Sequence, residues 1–181
     1  MHRQVTTLKD SNGIRSESAI HTEKGAELSL GSRPFKELLI DVLHRGAAFR
    51  FRAKGFSMSP FIKDGDIITV SSLSGDMPRF GDVVAFVNPR KEELVVHRVI
   101  GKRDDSRFFI RGDNLPTQKH LVPISQILGK VEKVERGGKA VSLGLGQEKT
   151  LIALLSRRGI LLPVLLPLWK IIRPFLKRSS R

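Results

Sequence analysis

Between Phe49 and Leu143 the apolar residues come in short runs of strand length, each closed by a turn signal. Phe49, Phe51 and Ala53 alternate with Arg50, Arg52 and Lys54, the period of a half-buried strand. Residues 67–70 follow the turn Lys63-Asp64-Gly65-Asp66, and residues 82–87 stop at Asn88-Pro89. Residues 94–100 end at Gly101, and residues 107–111 end at Gly112-Asp113-Asn114. Residues 127–134 and 140–143 flank Gly137-Gly138, a hairpin turn. Short strands this closely spaced predict a mainly β fold. One helix precedes them over residues 34–45, with Leu38, Leu39, Val42 and Leu43 on one face. Ser32 suits its cap, Pro34 its first turn and Gly46 its stop.

Residues 1–31 hold few large apolar groups and no sustained period, so a disordered tail is expected there. They contain no apolar stretch suited to a cleavable signal peptide. The folded domain is expected over residues 32–146, with a separate basic-apolar helical segment over residues 147–181. The charge supports that division. The 32 Lys and Arg against 18 Asp and Glu give a net charge of +14. Half of it lies in residues 151–181, in Arg157, Arg158, Lys170, Arg173, Lys177, Arg178 and Arg181, with no acid among them. The same residues are rich in Leu and Ile and contain Trp169, the composition of a segment lying on an anionic membrane surface. Its uncharged run, from Gly159 to Trp169, is too short to cross the ~30 Å hydrocarbon core. A helix packed on the domain is the alternative. The expected location is therefore membrane-associated, peripheral or anchored through the C-terminal segment, with the side left open and the cytoplasm as the alternative. With no Cys, disulfide frameworks, thiolate metal sites and Cys nucleophiles are excluded.

The residues that could carry chemistry are few. Gly55-Phe56-Ser57-Met58-Ser59-Pro60 places a serine in a tight turn between two strands. A serine is a weak nucleophile unless a base takes its proton. Of the five His, His2 and His21 lie in the tail, His44 ends the helix and His120 falls in a loop. His97 alone lies inside a strand, on the face of Val95 and Val99. An imidazole there is a core histidine or a base.

The ordered series shifts the balance toward the base. Gly55-Phe56-Ser57-Met58-Ser59-Pro60, Gly81-Asp82-Val83-Val84, Val95-Val96-His97-Arg98-Val99, Gly112-Asp113-Asn114 and Gly129-Lys130-Val131 follow one another along the chain. This series resembles the type I signal peptidase family of membrane serine proteases, which is related to the self-cleaving SOS repressors. The resemblance runs from about Arg52 to Val134 and implies a serine peptidase domain with the family's β-fold. It implies Ser57 as nucleophile and His97 as base, in the place most bacterial members give to Lys. That is the pattern of the endoplasmic-reticulum, archaeal and sporulation-type branch. Asp113 matches the aspartate that orients the His; an Asx-turn role is the alternative. The branch has a second Asp further on, but here the stretch is Leu115-Pro116-Thr117-Gln118-Lys119-His120.

The first Ser of the family's Ser-x-Ser-Met is Gly55 here, so the oxyanion is expected to meet the backbone N–H groups of Phe56 and Ser57. Met58, Ile68, Val84 and Phe86 are the expected lining of the substrate pocket. The implied function is a serine endopeptidase that cleaves leader peptides of preproteins by a Ser–His mechanism. The alternatives are a self-cleaving regulator or an inactive relative that binds peptides or membranes. No cofactor, metal or nucleic-acid partner is implied. An imidazole base predicts activity that rises between pH ~6 and ~7.5.

Overall fold

The computed structural model describes residues 33–165 and residue 167. The tail over residues 1–31, the Ser32 cap and residues 168–181 of the basic segment lie outside the described residues. Helix α1 spans Arg33–His44 and buries Phe35, Leu39, Val42 and Leu43. Leu38, expected on that face, is exposed. The stripe is set instead by Phe35 one turn before Leu39, and its ring meets Phe49 and Phe51 edge-on at 5.5 and 5.3 Å. Gly46 closes the helix with φ +75°, donating to the Leu43 carbonyl while Ala47 donates to Val42.

Among the described residues eight strands follow: β1 (Phe49–Arg52), β2 (Ile67–Ser71), β3 (Val83–Val87), β4 (Leu94–Asp104), β5 (Arg107–Arg111), β6 (Lys119–Pro123), β7 (Ile127–Arg136) and β8 (Lys139–Ala140). They form one sheet in the order β1-β2-β7-β3-β4-β5-β6, with β8 on β7, and every pairing is antiparallel. The fold is mainly β, as the strand spacing demands.

Strand β3 is buried on both faces, so its pleat feeds two cores. Val83 and Ala85 join Phe51, Met58, Ile62, Ile68 and Phe35, Leu39 and Leu43 of α1. Val84 and Phe86 join Val99, Phe108, Ile110, Val122 and Ile127. Three boundaries differ from the sequence expectation. Strand β4 runs on past Gly101 to Asp104, because irregularities between Val99 and Gly101 and again after Lys102 absorb the extra residues. Strand β8 stops at Ala140, since Ser142 already accepts the turn hydrogen bond of Leu145. Strand β6 was not foreseen: it ends the strand order beside β5, and buries only Val122.

Helix α2 (Lys149–Arg157) packs on the domain. Ile152 and Leu161 enclose Phe61 in a third small core. Lys149 Nζ donates to Asp82 at 2.6 Å, and Arg111 donates to the Ser156 carbonyl. The packed domain therefore continues beyond residue 146, and the first part of the expected membrane segment is one of its walls. No helix among the described residues is long and apolar enough to cross a membrane.

Candidate active site

The serine turn begins at Gly55, whose φ of +90° few other residues adopt and whose N–H donates to Asp64 at 2.7 Å. Ser59 donates to the Phe56 carbonyl at 3.1 Å, and Phe61 and Ile62 both donate to Met58. Ser57 is thus half-buried between Phe56, which is 68% exposed, and Met58, which is sealed in the core. The anchors behind it are Met58, Phe61 and Ile62, all buried.

The loop after β5 grips this turn. The Asn114 N–H donates to the Ser57 carbonyl at 2.8 Å, and Asn114 Nδ2 donates to the Phe56 carbonyl at 3.1 Å. The N–H groups of Phe56 and Ser57 donate to no acceptor among the described residues. The sequence expectation puts an oxyanion there.

His97 stands opposite Val84 on β4 and is 3% exposed. Its position relative to the serine is defined by Gly112. A Cβ on Gly112 would lie 2.7 Å from the Ser57 carbonyl oxygen and 2.9 Å from His97 Nε2. The Nε2 edge of the imidazole therefore meets the serine turn across the space that glycine leaves. Burial, with a smaller contribution from the charge of His120, pushes the His97 pKa down to about 3. The ring is neutral at ordinary pH.

Asp113 does not orient that ring. Its carboxylate accepts from Arg98 Nε at 2.9 Å and Arg98 Nη2 at 2.7 Å, with both side chains fully buried. Arg98 Nη1 also donates to the carbonyls of Gly81 and Gly144, each at 2.8 Å. Burial pushes the Asp113 carboxyl up, against the pull of the guanidinium. His97 and Arg98 are consecutive on β4 and point to opposite faces. A carboxylate committed to Arg98 is thereby drawn away from His97, whose Nδ1 has no hydrogen-bond partner among the described residues.

Ser57 and His97 line one cavity of about 920 Å³. Met58 and Ile68 line it too, as expected. Val84 and Phe86 do not: both are fully buried in the second core, on the same face as His97, and Phe86 lies behind the His97 and His120 rings at 6.1 and 5.7 Å. Lys54, Arg90, Lys91 and Lys119 give the lining a basic character. Three contributors were missed in the sequence. Asn114 and Gly112 flank Asp113 in Gly112-Asp113-Asn114, so their signal is present in the motif that points to Asp113. His120, taken for a loop residue, lies on β6 and lines the cavity.

The model of the Peptidase S24-like family matches residues 16–132. No curated protein matches the chain. The family match spans the serine turn, the strand that carries His97 and the loop that holds both, and it covers well over half of the sequence. The chain belongs to the Peptidase S24-like family.

Proposed function

We propose that this chain is a serine endopeptidase of the signal-peptidase type, with Ser57 as nucleophile and His97 as base. The observation that carries the proposal is the meeting of the Ser57 turn and His97 Nε2 across Gly112, at the wall of one cavity. In this reading Ser57 Oγ attacks the scissile carbonyl and passes its proton to Nε2. The N–H groups of Phe56 and Ser57 receive the oxyanion. Nε2 then returns the proton to the leaving amine as the C–N bond breaks. Water hydrolyses the resulting ester by the reverse route and frees Ser57.

Leader peptides with small residues before the cleaved bond suit the apolar wall of Met58 and Ile68 beside the serine. The basic segment supports a membrane surface as the place of encounter. Leu151, Leu154, Ile160 and Val164 are exposed beside Arg157 and Arg158, and residues 168–181 add five cations and no acid. The test is a mass-spectrometric assay of the purified chain with leader peptides, with and without anionic vesicles. Cleavage that disappears in Ser57→Ala, while the variant keeps its melting temperature, supports the proposal. Residual activity above about a tenth of the parent rate defeats it. Self-cleavage would appear in the same spectra as fragments of the chain itself.

A further inference from the structure

Nδ1 of His97 is buried, in a residue only 3% exposed, and has no hydrogen-bond partner among the described residues. A buried polar atom of this kind calls for an explanation. Nε2 and Cδ2 form the edge of the ring that faces Gly112 and the serine turn. Nδ1 lies on the opposite edge, where a third group would stand to hold a catalytic imidazole. Asp113 cannot fill that place, since both its oxygens serve Arg98.

The other ring near His97 is on β6. His120 pairs with Ile110, which faces Val99 across β4 and β5, and so it comes to the same end of the sheet as His97. The ring centroids of His97 and His120 are 5.7 Å apart, with 36° between the planes. Phe86 packs against both, at 6.1 and 5.7 Å, and limits how either can turn. Both histidines line the cavity that holds Ser57.

We propose that His120 is the positioning residue of this site, accepting the Nδ1 proton of His97 through a ring nitrogen. The inference rests on the reading of Ser57 and His97 as nucleophile and base. Held in this way, His97 keeps its proton on Nδ1 and presents the free electron pair of Nε2 to Ser57. When Nε2 takes the serine proton, the His120 nitrogen stabilises the imidazolium as a neutral acceptor. Burial and the charge of Arg90 hold the His120 pKa below the ordinary value, so its ring is uncharged near neutral pH and has a lone pair to offer. As placed, the rings stand close without an N–H···N bond between them, so the bond must form by a shortening of the contact. Catalytic hydrogen bonds commonly tighten in this way only when substrate fills the site.

The test uses the full chain and two readouts. In the unmutated protein, nitrogen-resolved NMR of the imidazoles should find the His97 proton on Nδ1; a proton on Nε2 overturns the proposal. In leader-peptide cleavage, His120→Phe keeps a flat ring but no acceptor, and should lower kcat by about 100-fold or more with little change in KM. His120→Gln offers a carbonyl oxygen at similar reach and should recover most of that loss. A His120→Phe enzyme with parental kcat, or a His120→Gln enzyme as impaired as His120→Phe, overturns the proposal. If Ser57→Ala cleaves like the parent, the catalytic reading itself has failed, and the NMR result still decides the His97–His120 pairing.

Discussion

Gly112 shows how narrow the tolerance of this site is. Its missing side chain is the gap across which the Ser57 carbonyl and His97 Nε2 face each other. Gly112→Ala would place a carbon too close to the Ser57 carbonyl and to His97 Nε2, so one of them must move. We expect a loss of about 1–3 kcal/mol in urea unfolding and at least a 100-fold fall in kcat/KM, because displacement by even an ångström misaligns the proton transfer. Parental activity in this variant would show that the two groups do not work together. His97 carries a second prediction, and here the structure changes the sequence expectation. A base that titrates near 6.5 would give activity rising between pH ~6 and ~7.5. Burial holds His97 down to about 3, so kcat/KM should show no limb from His97 in that window. Stability should respond instead. The unfolded chain takes up the proton near pH 6.5, whereas the folded chain resists it until about pH 3. The contribution is full above the unfolded value and is lost as the pH falls from ~6.5, at up to about 1.4 kcal/mol per unit. Urea midpoints at pH 7.5 and 5.5 should therefore differ less in His97→Gln than in the parent.

At the scale of elements, the pair Arg98–Asp113 ties β4 to the loop after β5, and Arg98 reaches on to the carbonyls of Gly81 and Gly144. A guanidinium buried this completely depends on its counter-charge. Asp113→Asn should cost about 3–5 kcal/mol of stability, because it leaves Arg98 buried without its carboxylate. Its kcat/KM, measured well below the melting temperature, should fall by less than about 10-fold, against the several orders expected of an acid that orients the base. A large kcat loss with unchanged stability would return Asp113 to the catalytic machinery. The sequence could place Asp113 near the serine turn but could not say which side chain it serves. Its two candidates, His97 and Arg98, are neighbours in the chain, and only the pleat of β4 separates them.

At the scale of the molecule, α2 and Leu161 after it pack on the domain. Ile152 and Leu161 cover Phe61, which braces the serine turn from behind. Removing residues 149–181 should therefore lower Tm by about 10 °C, through the exposure of several large apolar side chains. Removing only residues 168–181 should leave Tm within about 2 °C and weaken binding to anionic vesicles, since five cations go with them. Equal vesicle binding by the parent and the shorter truncation would end the membrane-surface proposal.

The local signals in the sequence were sufficient for the β1 alternation, the Gly137-Gly138 hairpin, the Gly46 stop and the placing of Ser57 in a turn. Each depends on residues within a few positions of one another, through pleat period, left-handed backbone or turn chemistry. Strand β6 escaped because an edge strand beside a single neighbour needs only one well-buried residue, Val122, and otherwise has the composition of a loop. What joins the site could not be decided locally. Asn114 reaches the carbonyls of Phe56 and Ser57 across more than fifty residues, and His97 meets His120 only because β5 lies between their strands. Strand order and register set those meetings, and they are settled by which faces the whole sheet can bury. The residue types at the site were therefore determined by the sequence alone, while their partnerships were decided by the tertiary structure.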